Sequence, residues 1–419
     1  MTTRPRASLP SVVNGFWIGI VLSTLAGILI CAYYGLVRHM GYPRSWPLFL
    51  PAARFSDFTI FQGRFQHFHS MAFYAAPGLP FTYPAPVAMI YEFYYNFTPR
   101  PLAFFLATIM LAGIIPAALF GRALIRRGLR PNVAYSFAAT LVLTSYPLAL
   151  MIDRANMEIM VWIVLAIGMW AYATGRLRTA AVFFGVAASL KLFPFVYLAL
   201  FVPRRQYKML ALGIASFIGT TILSLWILGP TIRVAAKGVA DGLLFFKTVY
   251  MSQLHVDENG FDHSLFSLIK TCVLYVRPSF DLRPLLSDYL AFTALAGLLL
   301  YFLRIWRLPQ VNQVFALAIS SILFTAFSGD GTLIHLYIPL AMLVFFAIDQ
   351  QRLGRKTRGL PAAFACLVFL LTPENYILRH GIRYGSQFKS LILLVLFTIV
   401  LIYPFIDVHE KTGSEPAND

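Results

Sequence analysis

Residues 101–121, PLAFFLATIMLAGIIPAALFG, run without one charged side chain between Arg100 and Arg122. A helix that crosses a bilayer needs about 20 such residues, so this stretch alone reads as a transmembrane span. Similar runs recur near 12–37, 132–152, 157–174, 209–229, 286–303, 310–328, 332–348, 360–373 and 388–405, which predicts ten full spans and an all-α polytopic membrane bundle. The whole chain agrees, because its 419 residues are 59% hydrophobic and 12% charged, against about 25% charged in soluble domains. An excess of 34 Lys and Arg over 17 Asp and Glu would suggest nucleic acid in a soluble chain. Here that charge belongs to short loops between spans, and a nucleic-acid partner is excluded.

Basic loops set the expected orientation. Arg122/Arg126/Arg127/Arg130, Arg176/Arg178, Arg304/Arg307 and Arg352/Arg355/Lys356/Arg358 all fall on one side if the N-terminus is cytoplasmic. The expectation is a multi-pass protein of the inner (plasma) membrane, with residues 1–405 as one transmembrane domain and 406–419 as a cytoplasmic tail. The first span follows Arg4 and Arg6 and is too long for a signal-peptide core, so it is read as a retained anchor. Segments 38–100 and 230–285 then lie outside, with most of the acidic residues, and any chemistry faces outward. Residues 179–203 lie between basic flanks and are too few for two spans, so they read as a re-entrant hairpin with its tip at Ser189-Leu190-Lys191-Leu192-Phe193-Pro194. The apolar piece 264–276 reads as a dip into the outer leaflet. Cys31, Cys272 and Cys366 stand alone in apolar runs, which indicates neither disulfides nor a thiolate metal site.

Charged groups in or beside a bilayer are expensive and therefore candidates for function. After Asp57, Phe58, Phe61, Phe65, Phe68 and Ala72 recur at +3 and +4, the stripe of an amphipathic helix lying on the outer membrane surface. Asp57 then sits at headgroup level as a reactive carboxylate or, equally, as a helix cap with Ser56. Phe81-Thr82-Tyr83-Pro84-Ala85-Pro86 stiffens the return toward the second span and presents Tyr83. Asp153-Arg154-Ala155-Asn156-Met157-Glu158 concentrates polar groups in a short turn, as an internal Arg154 pair with Asp153 or Glu158, or as the polar wall of a substrate cavity. Lys191 is read as a lone basic residue deep in the membrane, and an ammonium there needs an anion, either a carboxylate or a lipid phosphate. His335 lies at the outer end of a span, as a core donor or a ligand. Arg379, His380 and Arg383 form an outer basic cluster, suited to an anionic headgroup or simply solvated. His67 and His69, two residues apart, would lie on different helix faces, which disfavours metal binding. No HExxH, Walker loop, G-x-S-x-G or dinucleotide fingerprint occurs.

Taken in order, Ser56-Asp57-Phe58, Phe81-Thr82-Tyr83-Pro84, Arg154-Ala155-Asn156-Met157-Glu158, Ser189-Leu190-Lys191-Leu192-Phe193-Pro194 and Ile334-His335-Leu336-Tyr337-Ile338-Pro339-Leu340 resemble glycosyltransferase family 87 over about residues 12–345. The resemblance implies a GT-C-type membrane enzyme that moves a sugar, mannose by analogy, from a polyprenyl-phosphate donor to a lipid or glycan acceptor hydroxyl with inversion. Asp57 matches the family's general base. Lys191 matches its L-K-x-x-P lysine and His335 a late polar residue, both suited to the leaving phosphate. Arg154, Asn156 and Glu158 match a pattern usually written R-G-N-x-E, with Ala155 in place of glycine. Ala85 replaces a proline, and Phe61 and Gln62 stand where many members have tyrosine, so the sugar is not carried over. A monophosphate leaving group met by fixed cations implies no metal and no cofactor. The rival class is a transporter or flippase of lipid-linked sugars, which would also use a broken helix; the lack of an internal repeat argues against it. A noncatalytic scaffold would leave Lys191 unexplained.

Overall fold

The computed structural model describes residues 8–42, 44–48, 51–76, 78–251, 261–355, 357–373, 378–379 and 382–405. Helix α1 (Ser11–Ala32) continues as a π turn, Tyr33–Val37. The first long loop carries three one-turn helices, α2 (Ser56–Thr59), α3 (Gln62–Phe65) and α4 (Ala72–Ala75), before α5 (Ala85–Phe97). Then come α6 (Pro101–Arg126), α7 (Pro131–Leu143), α8 (Tyr146–Arg154), α9 (Glu158–Ala173) and α10 (Leu177–Leu190). A 3-10 helix, Phe193–Phe201, leads into α11 (Tyr207–Leu228) and α12 (Ile232–Phe245). The remainder is α13 (Leu265–Val276), α14 (Leu282–Leu303), α15 (Gln310–Leu323), a 3-10 helix Asp330–Leu336, α16 (Tyr337–Arg352), α17 (Leu360–Leu371) and α18 (Gly385–Ile402).

The local chemistry of the sequence explains several boundaries. Pro101 and Pro131 open α6 and α7, where a missing N–H and a fixed φ suit the first helical position. Gly128 and Gly175, at φ 76° and 77°, follow the ends of α6 and α9 in the left-handed conformation that stops a helix.

The architecture is all-helical, as expected, and length and composition qualify six or seven helices as candidate spans where ten were expected. Among the described residues six helices are long and apolar enough to cross a membrane: Ser11–Val37, Pro101–Arg126, Tyr207–Leu228, Leu282–Arg307, Asp330–Arg352 and Gly385–Ile402. The pair α7 and α8, bent by 46°, makes a seventh if counted as one span. Segments 157–174, 310–328 and 360–373 contain α9, α15 and α17, of 16, 14 and 12 residues. At about 1.5 Å per residue these are shorter than the ~30 Å hydrocarbon layer. Their apolar character has another cause, since all three are lined with buried residues of the protein's own core.

The continuous amphipathic helix expected after Asp57 is also corrected. Its stripe is divided among α2, α3 and α4, with left-handed residues Phe55 (φ 61°) before it and His69 (φ 65°) inside it. Phe58, Phe61 and Phe65 are buried in the protein. Phe58 stacks on Phe105 of α6 at 4.7 Å and on Tyr95 of α5 at 4.8 Å, and Phe65 stacks on Tyr91 at 5.2 Å. Arg64, 4% exposed, closes the loop by donating to the carbonyls of Phe73, Tyr74, Ala76, Gly78 and Leu79. In the segment expected as a hairpin, α10 ends at Leu190, Lys191 is extended at φ −148° and ψ 143°, and the 3-10 helix packs back along α10.

Candidate active site

Helix α8 stops at Arg154 because Ala155 adopts the left-handed conformation, φ 49° and ψ 56°. Four residues later α9 begins, so Arg154, Asn156 and Glu158 leave one tight turn in different directions. Arg154 pairs with Asp57 Oδ1 and also donates to the Ala53 carbonyl at 3.2 Å. Asn156 Nδ2 donates to Asp57 Oδ2 at 2.5 Å, while its Oδ1 accepts the backbone N–H of Glu158 at 2.8 Å. One amide side chain thus joins the Asp57 carboxylate to the backbone of Glu158. The internal pairs Arg154 with Asp153 or Glu158, expected from the turn's sequence, give way to partners from elsewhere. Asp153 faces Arg54 at 3.5 Å, and its carbonyl accepts the Phe55 N–H at 2.7 Å.

The backbone that carries Asp57 is held from α5. Tyr91 donates to the Asp57 carbonyl at 2.5 Å and Tyr95 to the Phe58 carbonyl at 2.6 Å. Burial first, then the neighbouring Tyr83 and Asp57, hold the Tyr91 phenol well above its ordinary value, so it remains a donor at neutral pH. Neither tyrosine was singled out in the sequence; their spacing of four on one helix was the available signal. Tyr83 sits edge-on to Phe61 at 5.9 Å, beside this aromatic packing.

Glu158 is fully buried at the first position of α9, where a helix N-terminus favours negative charge. Lys191, at the break after α10, pairs with its Oε2, and His335 Nε2 meets its Oε1 at 2.7 Å. A carboxylate only accepts, so Nε2 carries the proton. Lys191 has 30% of its side chain exposed while His335 has none, so of these two partners of Glu158 only Lys191 is accessible.

Arg379 and Arg383 stand on a two-residue antiparallel ladder with Ile382 and Leu378. Only their backbone is among the described residues, and His380 lies outside them. Lys191 is not the lone buried base expected, since Lys270 of α13 and Lys389 of α18 are both inaccessible. Lys389 lies at the start of the run 388–405 and Lys270 in the middle of the apolar piece 264–276. Among the described residues no three His, Cys, Asp or Glu side chains converge as metal ligands.

The turn that joins Arg154, Asn156 and Glu158, and the break that delivers Lys191, both fall within residues 81–334, which match the family model of glycosyltransferase family 87. This is more than half of the chain. The chain belongs to glycosyltransferase family 87. As a family 87 member it is a membrane glycosyltransferase. The family 87 match begins after Asp57 and ends one residue before His335, so these two residues join the site through the contacts described above. No curated protein matches the chain.

Proposed function

We propose that this protein transfers a sugar, mannose by family analogy, from a polyprenyl-phosphate donor to an acceptor hydroxyl at the extracytoplasmic surface, with inversion. The observation that carries this reading is that one turn sets two carboxylates each against a cation, Asp57 with Arg154 and Glu158 with Lys191. Asp57, 18% exposed at its side chain, is gripped by Arg154 and Asn156, and Glu158, buried, holds Lys191. The acceptor oxygen attacks C1 as the bond from C1 to the phosphate oxygen breaks and the electron pair leaves with the phosphate. Asp57 takes the hydroxyl proton, through an oxygen lone pair that Arg154 and Asn156 leave unused. Such base catalysis contributes about 10² to 10⁴ in rate.

Lys191 meets the charge that builds on the leaving phosphate, which stabilises the transition state more than the ground state. His335, being inaccessible, acts through Glu158 by fixing the carboxylate that aims Lys191. A monophosphate met by fixed cations requires no metal in this reading, and transfer that persists in EDTA is the expected check.

The orientation draws support from where three helical pieces begin and end. The bent pair α7 and α8 runs from Arg130 to Arg154, α10 from Arg176 to Lys191, and α16 from the His335 turn to Arg352. Each has the site at one end and a basic loop at the other, and basic loops favour the cytoplasm. The test uses purified protein in detergent with a panel of polyprenyl-phosphate sugars, comparing parent and Asp57→Asn. Transfer should fall by about two to four orders of magnitude, and a variant that transfers at close to the parent rate would sink the assignment.

A further inference from the structure

A second buried polar cluster is centred on Asp330, with Tyr146, His263 and Lys389 around it. Asp330, inaccessible to solvent, begins the 3-10 helix on which His335 sits one and a half turns later. Its Oδ1 accepts from His263 Nδ1 at 2.9 Å and its Oδ2 from the Tyr146 hydroxyl at 3.2 Å. Lys389 Nζ of α18 lies 3.9 Å from Oδ2 and 4.4 Å from the Tyr146 ring centroid. His263 faces the hydroxyls of Ser328 and Thr332 at 3.1 and 3.3 Å with its other nitrogen. Backbone bonds fasten the same two segments, His263 N to Ser328 O at 3.0 Å and Asp330 N to Phe261 O at 2.8 Å.

The partners of Asp330 matter because of where their elements lead. Tyr146 is the first residue of α8 and Arg154 its last, so the Tyr146 hydroxyl ties Asp330 to the helix that delivers Arg154 to Asp57. The other end of the connection is the 3-10 helix itself, which delivers His335 to Glu158. Between these points the helices touch closely, since a Cβ at Gly331 would collide with the Met151 side chain of α8. An inaccessible carboxylate with two hydrogen bonds and a nearby ammonium holds its partners in one arrangement, because releasing any of them leaves a charge without solvent.

We propose that Asp330 is a positioning residue for transfer, locking the 3-10 helix Asp330–Leu336 to α8 so that the carboxylate that aims Lys191 and the clamp on Asp57 face the same reacting centre. The proposal rests on the transfer reading above. Its effect is expected to be large for so remote a group, since a misplacement of about 1 Å costs about 10²-fold in rate.

The experiment measures kcat, the KM of each substrate and the unfolding temperature for Tyr146→Phe, Asp330→Asn, His335→Gln and the doubles that combine each of the first two with His335→Gln. Tyr146→Phe keeps the ring under Lys389 and removes only the hydroxyl bond, so it tests the idea even where Asp330→Asn folds poorly. We expect kcat to fall about threefold to tenfold for Tyr146→Phe and about tenfold to a hundredfold for Asp330→Asn, with acceptor KM unchanged. Each double should lose less than the product of its two single losses, because residues coupled through the same packed elements are not additive. Losses that multiply independently would overturn the proposal. So would full activity per folded molecule in Tyr146→Phe and Asp330→Asn, with only the unfolding temperature lowered, which is the signature of a purely structural role. Failure of the transfer reading is separate and is seen when the parent protein itself moves no sugar from any donor of the panel.

Discussion

Ala155 holds the left-handed position on which the divergence of Arg154, Asn156 and Glu158 depends. Alanine there carries a backbone penalty of about 1–2 kcal/mol, while its buried methyl returns about 0.8 kcal/mol. Ala155→Gly should therefore keep transfer activity and change stability by no more than about 1 kcal/mol, read by thermal unfolding and the transfer assay together. Ala155→Val, β-branched at the same φ, should lower both measures, because it must twist the turn or unseat it. The sequence placed the right polar residues in this turn but not their partners. The turn's sequence left an internal Arg154 pair and a polar cavity wall equally open, and the fold brings Asp57 and Lys191 to the turn from distant segments. That pairing also alters what Asp57→Asn does to stability. Arg154 would keep the Ala53 carbonyl but lose its carboxylate, so a modest fall of about 1–3 kcal/mol is expected beside the loss of rate.

At the scale of elements, the first long loop shows how a correct period can yield an incorrect helix. Apolar residues at +3 and +4 describe one face of a helix, and they describe equally a series of one-turn helices that present the same side inward. The choice between lipid and protein for that face lay with Tyr91, Tyr95 and Phe105, which cover Phe58. Arg64 then fixes the rest of the loop, by carbonyls that no side-chain pattern encodes. Arg64→Lys keeps the charge but loses the planar fork that reaches several carbonyls at once. It should destabilise the protein by about 1–3 kcal/mol and speed proteolytic cleavage within residues 72–82, followed by mass spectrometry. Unchanged cleavage would mean that packing of the phenylalanines alone holds the loop. Helix α12 lies against the same stretch, where a Cβ at Gly242 would strike the Phe81 carbonyl; this contact, too, had no signature in the hydropathy of 230–285.

For the whole molecule, the orientation proposed here makes a direct prediction. With the exposed Cys272 replaced, a single cysteine at position 62 should react with an impermeant reagent in intact cells, and one at 126 should not. Both positions are exposed, so silence cannot be blamed on burial, and the reverse pattern would invert the topology. Composition by itself determined that this chain is an all-helical membrane protein, because 59% hydrophobic and 12% charged residues leave no aqueous surface to cover. The ordered short motifs by themselves pointed to family 87, because a few residue types at set places are a local property of the chain. Where each helix ends, and so which are long enough to be candidate spans, was decided by tertiary structure. The hydropathy of a run does not give the length of its helix, and α9, α15 and α17, of 16, 14 and 12 residues, fall short of the six candidate spans. Which charges meet was decided there as well. Asp57 reaches Arg154 and Glu158 reaches Lys191 and His335 only after segments 97, 33 and 177 residues apart are brought together, and a buried charge takes whichever partner the fold delivers.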